Sequence, residues 1–581
     1  MERVYALLKA GIFDLQDLAL AQVAVSYSKG TPDLPFVTAW VSQWIRQGHI
    51  CLPVTVSFAE STDSDEDLSA FCFPNMKQWV ESLPKDHPFV SDGFRQTPLV
   101  VDREHGLIYL HRWYKAEQRV AAAILQRMQA DGADGDVTPD DQSRLDFHFP
   151  DPESSAQKKA VKTALQKPFA LITGGPGTGK TTTILKLIDL FVHHYGKDKK
   201  ISLCAPTGKA VSRLEESIRE QGERSSDEAV KAIARFDSES PVHPPVTIHR
   251  LLGLNHVKGT CRYNQKNLLP YDLIVLDESS MLDLLLMNQL VQAMRSTAHL
   301  VLVGDKNQLP AVGAGTLFSD LCKASGLQAC TALLDINWRA KESPDIVTLA
   351  KAVNGQDAEE TIRVLSASST QTNWVNGDAD LDDLLSTKAL PHWQKLKQCK
   401  TAEEAFKQMA EFQLLCAVRK GKRGVSAINT KAMEMLGEKR APYHGMPIMI
   451  SVNEYQHKLY NGDTGILLND EGGKLKAWFP VAGGCRALDL SRVPAYEPLY
   501  ATTIHKSQGS EAQEILIVLP DRDSAILTVE LIYTGVTRAR RSVSVCGSEE
   551  IVRMGIGRSV ERASGIGYIL DRNRTCNGEK S

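Results

Sequence analysis

Between residues 146 and 345, short apolar runs alternate with segments of helical spacing. Ala170–Thr173, Ile201–Ala205, Leu273–Leu276 and Leu300–Val303 read as buried strands. From Thr182 to Val192, Ile184, Leu187, Ile188 and Phe191 fall on one helical face. Strands alternating with helices predict a parallel α/β sheet. A second α/β region is expected over 346–581. Within it, Ser366–Ser386 is polar and predicts a loop, and the tail after Asp571 should fray. Strand-like pieces from Pro447 to Val493 predict a small SH3-like β insertion at about 447–493. The first 145 residues lack the alternation and are expected to form a mainly helical N-terminal domain.

Composition changes this picture little. A chain of 581 residues suggests three or four domains, at roughly 150 residues each. Asp131–Asp136 is polar and glycine-rich. It lacks the acidic spacing of a calcium loop and reads as a linker closing the N-terminal domain. Ser61–Ser69 is an acidic surface loop. The net charge of −3 excludes a wholesale polycation but not a local basic groove. Eleven cysteines are scattered singly without metal-ligand spacing, which speaks against zinc and iron–sulfur sites and fits a reducing compartment. The start has no basic-then-apolar leader, and no apolar run approaches the ~18 residues of a membrane span. A cytoplasmic protein is expected.

Candidate chemistry begins at Gly174-Gly175-Pro176-Gly177-Thr178-Gly179-Lys180-Thr181, a complete phosphate-binding loop between strand and helix. Its glycines let backbone N–H groups converge on a phosphate. Lys180 reaches the β- and γ-phosphates, and the Thr181 hydroxyl, followed by Thr182, ligates Mg²⁺. The strand Leu273–Leu276 ends in Asp277 and Glu278. Behind such a loop, Asp277 holds Mg²⁺ through water and Glu278 orients or deprotonates the attacking water. Gly304-Asp-Lys-Asn-Gln-Leu-Pro310 places Gln308 where an amide can sense the γ-phosphate. Arg339 and Arg538 are candidate fingers reaching that phosphate from the second domain.

Further motifs accompany these in order: Gln157, Ala205–Ala210, Thr247-Ile-His-Arg-Leu-Leu-Gly253, Asn461-Gly-Asp-Thr-Gly465, Thr502–Glu511 and Tyr533–Arg541. As a set they resemble the superfamily 1 DNA helicases. Thr247–Gly253 and His505-Lys-Ser-Gln-Gly-Ser-Glu511 resemble the RecD family, the alpha subunits of exodeoxyribonuclease V. The motifs span about 155–545; Leu107–Trp113 extends the likeness more loosely into the N-terminal third. The resemblance implies two RecA-like motor domains, over 146–345 and 346–581, with ATP between them. It implies 5′→3′ movement on single-stranded DNA and assembly with RecB and RecC. Gln157 would read adenine. Thr207, Lys209, His249, Thr503, His505 and Lys506 would lie along the DNA, where hydroxyls and cations hold phosphates and rings stack on bases. Ala340 replaces the family's usual aromatic after Arg339, and Trp338 stands in as a candidate to stack on adenine.

Some readings stay open. Asn461-Gly462 is a good hairpin dipeptide as well as a DNA-contact candidate. Leu254–Leu268 is an ordinary surface hairpin or a strand-separation pin carrying Lys258, Arg262, Tyr263 and Lys266. Residues 1–145 are expected to dock a partner through some of Phe71, Phe73, Trp79, Phe89, Phe94, Trp113 and Tyr114. No nuclease constellation is visible. The alternatives are a stand-alone RecD-like helicase and a P-loop ATPase that binds DNA as a switch without unwinding.

Overall fold

In the computed structural model, the apolar runs become the centre of a six-stranded parallel sheet. Its order is Thr331–Leu334, Phe169–Gly174, His299–Gly304, Leu273–Leu276, Ile201–Ala205 and Val242–Thr247. The structure describes residues 1–58, 72–129, 137–237, 240–255, 259–376, 381–454, 456–481 and 484–578, with the backbone alone for 376 and 573–578. The Ser61–Ser69 loop and the Asp131–Asp136 linker lie outside the described residues. The four inner strands are buried throughout, because helices cover both faces. The two outer strands are less legible. Val242–Thr247 contains Pro244 and Pro245, which lack the N–H of a ladder and are tolerated at a sheet edge.

A second parallel sheet follows, ordered Thr372–Asn376, Ala539–Gly547, Ala512–Val518, Phe412–Cys416 and Ala501–Thr503. Its outermost strand, Thr372–Asn376, corrects the loop expected over Ser366–Ser386. Backbone pairing with 543–547 and an indole hydrogen bond from Trp374 to the Gly547 carbonyl hold this polar segment extended. Inserted before Ala501, an antiparallel sheet runs through Met446–Ile450, Thr464–Asn469, Leu475–Val481, Gly484–Asp489 and Tyr496–Pro498. It occupies the place of the expected β insertion and reaches slightly beyond it. Gly462, at φ +94°, makes the tight turn that leads into Thr464–Asn469.

The N-terminal region packs helices Glu2–Lys9, Leu15–Val25 and Leu34–Arg46 around Phe36, Trp40 and Phe58. Beside them lies a four-stranded sheet that includes Leu99–Asp102 and Leu107–Leu110. This sheet is apolar on both faces. Leu99, Val101 and Ile108 meet the N-terminal helices. Val100, Leu107 and Tyr109 join the core shared by helix His111–Gln129 and the six-stranded sheet. The chain's end returns to that core. Ile566 and Leu570, on helix Ile566–Gly578, pack with Val120, Leu290 and Leu327. The tail beyond Asp571, expected to fray, is helical to Gly578.

Candidate nucleotide and DNA site

Helix Lys180–Tyr195 starts at Gly179, whose φ of +82° follows Gly177 at +80°. These left-handed residues turn the backbone so that the helix N-terminus faces the cleft. Side chains strap the loop from two sides. The Gln157 amide donates to the Thr178 carbonyl at 3.1 Å. The Asn337 amide donates to the Pro176 carbonyl at 3.0 Å, and the Trp338 main-chain N–H adds a bond to the Gly177 carbonyl at 2.9 Å. Lys180 Nζ donates to the carbonyls of Gly174 and Gly175 at 2.9 and 3.1 Å. A cleft of about 1120 Å³ opens here, and Lys180, Thr181, Thr182, Asp277, Glu278, Gln308, Arg339 and Arg538 all line it.

The acids stand at the end of the central strand. Burial, and then the neighbouring Glu278 charge, pushes Asp277 up to about 6. Glu278 has a φ of +52°, a left-handed conformation costly for a residue with a Cβ, and its N–H donates to Asp277 Oδ1 at 2.9 Å. Gln308 is buried; its amide donates to Asp305 Oδ2 at 3.3 Å, and its Oε1 has no partner among the described residues. Elements of the second parallel sheet's domain grip this loop directly. Tyr533 donates to Asp305 at 3.0 Å, the Leu309 N–H to Thr534 Oγ1 at 2.9 Å, and Gln508 to the Leu309 carbonyl at 2.9 Å.

The two arginines differ in origin. Arg538 enters from the second parallel sheet and is 1% exposed. Its Nε and Nη1 donate to the carbonyls of Thr534 and Ser510, both at 3.2 Å. Arg339 does not come from the second sheet, contrary to expectation. It sits on the turn Trp338–Lys341 that follows the edge strand Thr331–Leu334, because Asn337 and Trp338 anchor that connector on the phosphate loop. Its guanidinium meets Glu511 at 2.6 Å. Glu511 also pairs with Arg213 and, at 2.9 Å, with Arg540. Burial pushes its carboxyl up, but the Arg213 and Arg339 charges hold it well below the usual carboxylate range. Its sequence signal was its place at the end of Thr502–Glu511.

The predicted DNA residues are brought together less completely. Lys209 lines the cleft; burial pushes its ammonium down to about 8 against the pull of Asp463. Thr207 caps helix Gly208–Arg224 by accepting from the Ala210 N–H. His249 lies on the short helix Ile248–Leu252. Thr503 accepts from the Lys506 N–H, and Lys506 Nζ meets Glu497 at 2.6 Å. Burial, then the Arg562 charge, pushes His505 down. Thr207, His249, Thr503, His505 and Lys506 do not line the cleft itself. The insertion sheet closes over the side near Lys209. Asp463 lies beside Gly208 and Lys209, and the Arg250 guanidinium stands 4.5 Å from the Tyr460 ring and donates to its hydroxyl.

Three family models match the chain: an AAA domain over 157–314, a UvrD-like helicase C-terminal domain over 498–546, and the N-terminal domain of the RecBCD enzyme subunit RecD over 9–107. The RecBCD enzyme subunit RecD of Mycolicibacterium smegmatis is 33% identical over 572 residues, covering 96% of this chain and 97% of the relative. That of Haemophilus influenzae is 30% identical over 631 residues, covering 95% and 96%. An ATP-dependent RecD2 DNA helicase of Deinococcus radiodurans is 29% identical over 474 residues, 78% of this chain but 57% of that protein. The end-to-end match is therefore to the subunits rather than to the longer helicase. The chain belongs to the RecD family of RecBCD enzyme subunits.

Proposed function

We propose that this chain is an ATP-driven 5′→3′ DNA translocase and helicase that works with RecB and RecC. One observation carries the reading. The phosphate loop, paired acids, a buried glutamine whose Oε1 has no partner among the described residues, and an arginine from the opposite sheet line one cleft. In this reading residues 146–345 and 346–581 are the two motor domains, and residues 1–145 dock the partner. Loop N–H groups and Lys180 hold the β- and γ-phosphates, Gln157 and Trp338 flank the adenine, and Glu278 orients the attacking water. Arg538, with Arg339 released from Glu511, stabilises charge on the transferring phosphoryl. Gln308 offers its free Oε1 to the γ-phosphate or the water, and the contacts through Leu309 and Asp305 carry that state to the second motor. DNA would run past Thr207, Lys209, His249, Thr503, His505 and Lys506.

The donor set fits Mg²⁺. Asp277 is a carboxylate whose charge is disfavoured by burial and by Glu278, and a divalent cation relieves both; Thr181 offers a hydroxyl at the same cleft. Held by Asp277 and Thr181, Mg²⁺ would supply positive charge to neutralise the phosphates. Among the described residues no helix is long and apolar enough to cross a membrane, and we place the protein in the cytoplasm. Unwinding of DNA with 5′ or 3′ overhangs, with and without RecB and RecC, tests the reading. Unwinding is expected from the 5′ overhang; equal use of both ends would reject the polarity. An ATPase indifferent to single-stranded DNA would reject the motor.

A further inference from the structure

Outside the motor cleft, a cavity of about 380 Å³ lies between helix His111–Gln129 and helix Leu284–Ala293. One wall carries His111, Arg112, Lys115 and Arg119; the other carries Asn288 and Gln289. Among the described residues no carboxylate lines it. Neither Arg112, Lys115 nor Arg119 forms an ion pair among the described residues. At 3.6 residues per turn these three cations fall within about 60° of one another, along ~10 Å of helix. The acid of this helix, Glu117, projects on the far side, where it accepts from Ser564 and the Gly565 N–H. The cations are thus gathered on the cavity side without neutralising partners among the described residues. Lys115 is fixed by donating to the Gly93 carbonyl at 3.2 Å. His111 Nδ1 is a buried ring nitrogen with no hydrogen-bond partner among the described residues. Burial first, then the Lys115 charge, pushes this imidazole down against a backbone hydrogen bond at Thr97, and Arg119 adds to the fall.

We infer that this cavity is a second phosphate-binding site, which holds the phosphodiester backbone of DNA beside the motor. Three guanidinium and ammonium groups supply the charge, and the amides of Asn288 and Gln289 supply neutral donors. Its place favours a nucleic acid over an acidic protein segment. Helix Leu284–Ala293, which forms the amide wall, shares a core with Leu251 and Leu252 of the helix that carries His249 and Arg250. That short helix leads directly into the hairpin Leu254–Asn255/Thr260–Cys261. A DNA arm leaving the motor near the hairpin would therefore pass close to this cavity. The inference rests on the DNA-motor reading and gives the N-terminal third a nucleic-acid contact of its own.

The test uses the full chain with Arg112→Gln, Lys115→Gln and Arg119→Gln combined. All three side chains reach solvent, so the fold should survive, and circular dichroism checks that it does. Each phosphate contact contributes about 0.9 to the salt slope of duplex binding and about 0.7 for single strands. On forked DNA with long arms, the slope of log K against log salt should therefore shrink by about 2 to 3. ATPase stimulation by a short oligonucleotide spanning only the motor cleft should be unchanged, which separates failure here from failure of the motor reading. Asn288→Ala with Gln289→Ala should weaken fork binding by about three- to tenfold while leaving the slope nearly intact. An unchanged slope in the triple variant overturns the inference. If inorganic phosphate also raises the melting temperature of the wild type but not of the triple variant, the site takes free phosphate rather than a strand. If copurification with RecB and RecC falls instead, the cavity docks an acidic protein face.

Discussion

Lys180 bonds two carbonyls of its own loop, so its ammonium is already poised over the phosphate seat. Lys180→Gln should leave the fold intact, because the side chain packs in no core. It removes a charge-assisted phosphate contact, and steady-state ATPase should fall by orders of magnitude. A rate within about twofold of wild type would remove this loop from the chemistry. The two arginines separate by their surroundings. Arg538 is buried between carbonyls, and Arg339 shares Glu511 with Arg213 and Arg540. Arg538→Ala and Arg339→Ala should each still bind a fluorescent nucleotide, while hydrolysis drops by ~10³. Loss of binding in proportion to hydrolysis would make them simple binding residues.

Elements record which part of this site was legible in the chain. The phosphate loop, Asp277, Glu278 and Gln308 each follow a continuous apolar strand, and such strands announce themselves by composition. The edge strands did not: Val242–Thr247 carries two prolines, and Thr372–Asn376 is polar, extended only because residue 543 and its neighbours pair with it. The Glu511 hub was illegible for a different reason. Arg213, Arg339 and Arg540 are distant in sequence and converge only when the two sheets face each other. The hairpin after Gly253 is real, with Leu254 opposite Cys261 and Asn255 opposite Thr260, but Cys261 and Tyr263 lean on the motor core. Replacing the whole segment would injure that core. Replacing residues 256–259 with a Gly-Ser turn should abolish unwinding while sparing DNA-stimulated ATPase. Loss of both activities, or of neither, rejects the separation role. The returning C-terminal segment offers a second test. Burial pushes Glu117 up to about 7, against the hydrogen bonds from Ser564 and Tyr109. Its usual value is 4.5. Between those values the folded chain holds a proton that the unfolded chain has lost. The contribution of Glu117 to stability is therefore fullest below pH 4.5 and is lost as pH rises through about 7. Glu117→Gln should flatten the fall in urea-unfolding midpoint between pH 5 and 8; an unchanged pH profile would mean that Glu117 is not the titrating group.

At the scale of the whole molecule, the N-terminal third is less separable than its lack of motifs implies. Val120, Ala121 and Ile124 of helix His111–Gln129 share one core with Met287, Leu290 and Leu317. A chain starting near Asp146 would leave that core open, so truncation tests folding rather than docking. Most of the aromatics offered for docking are also spoken for. Trp79 and Phe89 are buried, Phe73, Trp113 and Tyr114 pack on cores, and Phe71 lies outside the described residues. Phe94 alone of these stands free, 94% exposed. A stronger candidate for docking is helix Leu15–Val25, where Leu15 is 75% and Val23 57% exposed, with Ala19 between them on the same stripe. Apolar residues at i, i+4 and i+8 turned outward give a helix a second greasy side that its own domain does not cover. Leu15→Asp with Val23→Asp changes only exposed positions, so melting temperature and DNA-stimulated ATPase should stay close to wild type. Copurification with RecB and RecC should be lost, because two carboxylates would have to be buried without partners at the contact. If the variant still assembles in equal proportion with both subunits, the tether lies elsewhere, and the exposed Phe94 is the next position to charge.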